Sequence, residues 1–232
     1  MLVKKYEKSH KILWDEFVKN SKNSHFFFLR DYMEYHSDRF EDFSLIIFDD
    51  NNKIIALLPS NHKDNILYSH QGLTFGGFLI NDKMKTETML TIFDNLKIFL
   101  KSYNIEKLIY KAIPYIYHIK PSEEDRYALF MNDAKIVRRD VSSTIDLTEP
   151  VRYSKGRKWS LNKAKKSNIE IESSEDYSSF WKILFEILES NYGEKPTHTL
   201  DEIEKLSKLF PNNIKLYLAK KEERILSEII GS

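Results

Sequence analysis

The chain has 232 residues, 41% apolar and 13% aromatic, with 36 Lys+Arg against 35 Asp+Glu for a formal charge of +1. That apolar content excludes a disordered chain, and the near-zero charge removes any whole-protein argument for a DNA partner. The absence of cysteine excludes disulfides, thiolate metal sites and a cysteine nucleophile, and no stretch reaches the roughly 18 apolar residues of a membrane span, so a cytoplasmic protein is expected.

Two short amphipathic helices open the chain, Ile12 to Lys19 and Phe28 to Arg39, separated by a turn at Asn20 to Ser24. A β-meander follows, with strands Phe43 to Phe48, Ile54 to Leu58 and Ile66 to Tyr68, its first turn at Asp49-Asp50-Asn51-Asn52. Met89, Ile92, Phe93, Leu96, Phe99 and Leu100 fall at helical spacing within Met84 to Lys101, and Ile105 to Tyr110 reads as a buried strand behind that helix. Pro121 with Glu123, Glu124 and Asp125 signals a helix from Ser122 to about Met131, and Val137 to Leu147 alternates as a strand.

Thr148-Glu149-Pro150 is the best boundary, dividing residues 1–150 from 151–232. Beyond it the pattern predicts a basic helix (Lys155 to Ser167), a strand (Ile169 to Glu172), helices over Asp176 to Ser190 and Leu200 to Phe210, and strands at Ile214 to Ala219 and Ile225 to Ile230. This order partly repeats the opening of the first half, and the class is α+β (mixed α/β).

Three segments are able to carry chemistry. Ser69 to Phe78 holds Gly72, Gly76 and Gly77, half of the six glycines in the chain; such a cluster marks either a tight chain crossing or a substrate-facing loop. Its spacing is not that of a nucleotide P-loop. Tyr110 to His118 follows a predicted strand, where Lys111 would bind a carboxylate or phosphate and His118 would do so or act as a base, with a structural role as the alternative for each. Arg152, Lys155, Arg157, Lys158, Lys163, Lys165 and Lys166 make a basic helix, either a solvated face or a clamp for a phosphate-bearing substrate. No His-Glu-x-x-His, Gly-x-Ser-x-Gly or metal-ligand spacing is present, and no metal is expected.

Asp31 to Phe40, Ser69 to Gly77, Lys111 to His118, Pro121 to Phe130 and Pro196 to Ile203 together resemble the Fem-related, GNAT-like acyltransferases of bacterial surface-polysaccharide and peptidoglycan assembly, and Arg157 to Ser167 looks like the basic helix that opens their second half. The resemblance implies two GNAT-like (acyl-CoA N-acyltransferase) halves, one complete in 1–150 and the opening of a second in 151–232, with an acyl-CoA such as acetyl-CoA, or an aminoacyl-tRNA, as donor. tRNA enters only in that role. It implies transfer of an acyl or aminoacyl group to an amine on a glycan or peptidoglycan precursor. Arg30, His70, Gln71, Thr74, Gly76, Gly77, Lys111, Tyr117, His118 and Arg157 are placed around the acceptor, with no catalytic residue assigned. The chain ends at Ile229-Ile230-Gly231-Ser232, where the resemblance places the donor-binding strands. A non-catalytic binding or assembly module is the alternative, and self-association through the edge strand Ile225 to Ile230 is expected.

Overall fold

The computed structural model describes residues 1–221 and 224–231. The chain separates into two compact units, Met1–Ser142 and Ser143–Ser232. Both mix helices with sheets.

All four residues of β2 (Leu45–Phe48) are buried, as four consecutive apolar side chains require of a strand covered on both faces. It pairs antiparallel with β1 (Leu2–Lys5) and β3 (Ile54–Leu58), and β3 pairs with β6 (Leu79–Ile80), giving the sheet order β1-β2-β3-β6. Alternation then sorts side chains between two cores. Leu45, Ile47, Ala56, Leu58 and Ile80 meet Met89, Ile92, Phe93, Leu96 and Leu100 of α3 (Thr86–Ser102) on one face. Ile46, Phe48, Leu57 and Leu79 meet Trp14 and Val18 of α1 (Lys11–Lys19), with Phe28 and Met33, on the other. Each fully buried side chain of this kind contributes about 1.5–3 kcal/mol. The predicted turn between β2 and β3 is built on Asp49, whose carboxylate accepts the N–H groups of Asn51 at 2.9 Å and Lys53 at 2.8 Å.

A second sheet sets up the loops of interest. β4 (Asn61–Lys63) and β5 (Ile66–Tyr68) form a hairpin through Asp64 and Asn65, whose φ angles of 52° and 58° fit a two-residue primed turn. After α3 the chain returns as β7 (Lys107–Ile109), parallel to β5, with Tyr68 opposite Ile109. The chain therefore leaves both strands at the same end of the sheet. α4 (Glu124–Met131) packs its Ala128 into the α3 core.

Two sequence expectations are corrected in this unit. The single helix over Phe28 to Arg39 is instead a 3-10 turn at Phe26–Phe28, a short α2 (Arg30–Met33) and a 3-10 turn at Glu34–His36. A tertiary bond takes a backbone group that a continuous helix would use, Trp14 Nε1 donating to the Phe28 carbonyl at 2.8 Å, and Asp15 accepts the Arg30 N–H at 2.8 Å at the start of α2. The alternating segment Val137 to Leu147 is not a strand, and every residue from 133 to 163 is exposed. Alternation specifies a face, but only a neighbouring strand supplies the ladder, and no strand of the described residues pairs there.

The second unit follows the predicted order closely. α5 (Lys155–Lys166), β8 (Glu170–Ser174), α6 (Tyr177–Tyr192), α7 (Leu200–Leu209), β9 (Lys215–Lys221) and β10 (Arg224–Gly231) come in turn, the strands pairing antiparallel in the order β10-β9-β8. Asp176 caps α6 through the Ser179 N–H, and Thr199 with Glu202 forms a capping box on α7. Among the described residues, Tyr177 on α6 and Ile203 and Leu206 on α7, with Phe210, Ile214, Leu216 and Leu218, are its buried apolar residues. β10 is an edge strand with Ile229 64% exposed; the side chains of Ile225 and Leu226 lie outside the described residues. Among the described residues no helix is long and apolar enough to cross a membrane.

Candidate functional site

Because β5 and β7 run parallel, Ser69 and Tyr110 emerge side by side at their C-terminal ends, the position at which parallel strands present ligand groups. The two loops they begin, 69–78 and 110–118, stay joined. Ser69 N–H donates to the Ile109 carbonyl at 3.0 Å, Lys111 N–H to Ser69 Oγ at 2.7 Å, and Gly76 N–H to the Lys111 carbonyl at 3.2 Å.

Lys111 staples the layer. Its ammonium donates to the carbonyls of Leu73 at 2.7 Å, His70 at 3.1 Å and Gln71 at 3.3 Å. Burial pulls its pKa below the usual lysine value. All three of its donor directions are directed at the chain's own backbone, so the side chain orders the loop rather than projecting toward a ligand. Gln71 is fixed likewise, accepting from Asn61 Nδ2 and donating its N–H to Asn61 Oδ1, both at 2.8 Å.

The glycines serve this packing. A side-chain carbon on Gly76 would run into the Ser69 carbonyl, and Gly77, at φ +95°, sits with its α-carbon against the Tyr110 ring, where such a carbon would lie 2.7 Å from the phenolic oxygen. Both glycines face the chain itself. Of the two readings of this loop, the tight crossing accounts for Gly76 and Gly77.

His70 is 3% exposed, its ring 5.4 Å from that of His36 and 5.5 Å from that of Phe40. Burial pushes its pKa down to about 3, so it is neutral, and its Nδ1 accepts the Gly72 N–H at 3.2 Å. Arg30 is deeper still. Its guanidinium stacks on the Tyr6 ring at 3.7 Å and donates to Asp42 at 2.5 Å, Glu34 at 3.1 Å and Ser44 at 3.3 Å. That arrangement makes Arg30 a buried tie between the 30–34 segment and residues 42–44. His118 accompanies the loops without joining the layer: it is partly buried, its pKa lowered by that burial, and its Nε2 is enclosed with no hydrogen-bond partner. Arg157 lies in the second unit, exposed on the first turn of α5, its N–H donating to Ser154 Oγ at 3.3 Å.

The outer surface of the layer is aromatic. Tyr117, 41% exposed, stacks on Phe75 at 4.7 Å, and both rings meet the edge of His25 at 5.2 and 5.1 Å. Phe27 continues the surface, stacked on Tyr32 at 4.7 Å, and Thr74 stands exposed at the loop tip. His25 is kept neutral, burial pushing its pKa down to about 4, and its Nδ1 accepts the Phe27 N–H at 3.3 Å. Such a surface offers ring faces and the hydroxyls of Thr74 and Tyr117, which suits a flat or sugar-like ring better than a free anion. His25, Phe27 and Tyr32 were not among the sequence candidates. The signal was the run His25-Phe26-Phe27-Phe28 directly after a polar turn, where three aromatics in succession cannot all point into one core. Among the described residues no group of three or more His, Asp or Glu is arranged to hold a metal ion.

No protein-family model and no curated protein matches this chain. Among solved structures, the crystal structure of FemX is similar over 95% of this chain, with a TM-score of 0.52 at 13% sequence identity. The chain spans 58% of the length of that FemX chain. At this identity the likeness is one of backbone architecture, and the chain has a Fem-like mixed α/β fold.

Proposed function

We propose that this protein is an acyl-transfer protein of the Fem type, in which the aromatic surface of the first unit holds an amine-bearing glycan or peptidoglycan precursor. The observation that carries the reading is the FemX-like fold over 95% of the chain; the aromatic surface at the C-terminal ends of β5 and β7 supports the placement. On this reading Tyr117, backed by the buried Phe75, and Phe27 stack on a ring of the acceptor, Thr74 hydrogen-bonds to it, and Lys111, Gln71, Gly76 and Gly77 hold the surface in shape. The amine attacks the carbonyl of an acyl-CoA or aminoacyl-tRNA donor substrate, forming an amide as the thioester C–S or ester C–O bond breaks and the CoA thiol or the tRNA terminal hydroxyl leaves with the proton the amine loses. That step needs a route for the amine proton and donors for the developing oxyanion, to which no residue here is assigned.

A second reading, a binding or assembly module without catalysis, is favoured by the commitment of the Lys111 ammonium and the Arg30 guanidinium to structure. One experiment separates them. The protein is incubated with a nucleotide-linked muramyl peptide and acetyl-CoA or a charged tRNA; melting is followed to detect binding and mass spectrometry to detect an acylated product. A raised melting temperature with product supports transfer, and a raised melting temperature without product supports the binding module. No shift with any precursor, or a shift that survives Tyr117→Ala combined with Phe27→Ala, overturns the placement of the acceptor.

A further inference from the structure

One polar group on the aromatic surface has no task within the chain. His25 Nδ1 accepts the Phe27 N–H at 3.3 Å, and a ring nitrogen that accepts a hydrogen bond carries no proton. Burial lowers the His25 pKa to about 4, so the imidazole is neutral near pH 7 and its single proton sits on Nε2. Among the described residues nothing bonds that Nε2, and it is not enclosed as His118 Nε2 is. His25 therefore presents a free N–H donor to solvent.

The surroundings set what that donor recognises. The imidazole meets Phe27 at 4.3 Å, Phe75 at 5.1 Å and Tyr117 at 5.2 Å, each contact edge-on and all within the first unit. A ring laid on Tyr117 and Phe27 brings its substituents alongside the imidazole. An uncharged N–H among apolar rings does little to offset the desolvation of a carboxylate or phosphate; it suits a neutral oxygen with a strong dipole, the carbonyl of an amide.

We infer that His25 is the specificity-determining residue of this surface, its Nε2–H donating to an amide carbonyl on the rim of a ring that stacks on Tyr117 and Phe27. That carbonyl belongs to an acetamido group on a sugar or to a pyrimidine base, which present the same acceptor. The inference rests on the acceptor-binding reading of the surface and gives His25 no step of the transfer.

Substitution separates the two ring nitrogens. Asn keeps an acceptor near the Nδ1 position for the Phe27 N–H and lacks the outer donor, whereas Gln carries an N–H out to the Nε2 position and gives up the inner acceptor. The probes are methyl N-acetylglucosaminide, uridine and methyl glucoside, which has no carbonyl, each titrated by NMR chemical shift. The unaltered protein is expected to bind one of the two carbonyl-bearing probes at least about five-fold tighter than methyl glucoside, and the probe preferred identifies the source of the carbonyl. His25→Asn is expected to bring that ratio to about one with binding retained, and His25→Gln to keep at least about half of it. Long-range proton–nitrogen spectra, with the His25 signals assigned by their loss in His25→Asn, are expected to show the proton on Nε2 at pH 7 and to shift at that nitrogen when the preferred probe is added, a change that capping Phe27 alone would not produce. A proton on Nδ1, equal affinity for the three probes, or a ratio unchanged in His25→Asn overturns the inference and leaves the surface in place. No binding of any probe, or binding that survives Tyr117→Ala combined with Phe27→Ala, overturns the acceptor-binding reading along with it.

Discussion

Tyr110 donates its phenolic proton to Asp125 at 2.5 Å while accepting the Phe78 N–H at 2.7 Å, so one hydroxyl ties β7, the glycine loop and α4 together. Burial raises the Asp125 pKa and holds the Tyr110 pKa well above its usual value. Tyr110→Phe keeps the ring and strands both partners, and the expected loss is about 2–4 kcal/mol in denaturant unfolding. A loss below about 0.5 kcal/mol would show that water replaces the hydroxyl.

Gly76→Ala places a methyl group against the Ser69 carbonyl, a backbone atom that moves only if the β5–β7 exit is rebuilt. The expected cost is about 2 kcal/mol or more, above the fraction of a kcal/mol that chain entropy would return. A neutral or stabilising result in a thermal melt would remove the close crossing from this account.

Lys111→Met removes three ammonium bonds to the loop carbonyls while keeping the length of the stem. We expect faster backbone hydrogen exchange over 69–78 and a stability loss of about 1.5–3 kcal/mol. Tyr117→Ala, at a surface ring, should leave exchange in that loop nearly unchanged and weaken precursor binding. Unchanged exchange in Lys111→Met would free that side chain for a ligand.

The folded-state pKa values of His25 and His70 are pushed down by burial to about 4 and about 3, from 6.5. Between those limits and pH 6.5 the unfolded chain binds protons that the folded one does not, so stability is lost as pH falls through this window, by up to about 1.4 kcal/mol per pH unit for each histidine. His25→Asn keeps an acceptor for the Phe27 N–H and should lessen that slope by one histidine's share. Unfolding curves between pH 5 and 6.5 test this; a slope identical in the variant would show that His25 titrates alike in the folded and unfolded chain.

β10 exposes one edge and Ile229, and we propose that it offers a route to self-association. Light scattering over a dilution series should show association that Ile229→Lys lowers. Strictly monomeric behaviour at high concentration, whatever stands at 229, would leave the β10 edge without this role.

Local rules sufficed for much of the fold. The 3.6-residue spacing of Met89, Ile92, Phe93, Leu96 and Leu100 set α3, Asp49 announced its turn, and the helices and strands of the second unit came in the order their patterns gave, because periodicity and turn chemistry need only neighbours in sequence. The loops at Ser69 and Lys111 were legible as unusual for the same reason. What a side chain does there was not. Whether Lys111 faces a ligand or the Leu73 carbonyl, and whether Arg30 lines a site or ties Asp42 to Tyr6, depends on partners 12 to 38 residues away that only the folded chain brings near. The helix across Phe28 failed because Trp14, fourteen residues earlier, takes its carbonyl. The strand at Val137 to Leu147 failed because a strand is a relation between two segments, and its sequence specifies one of them.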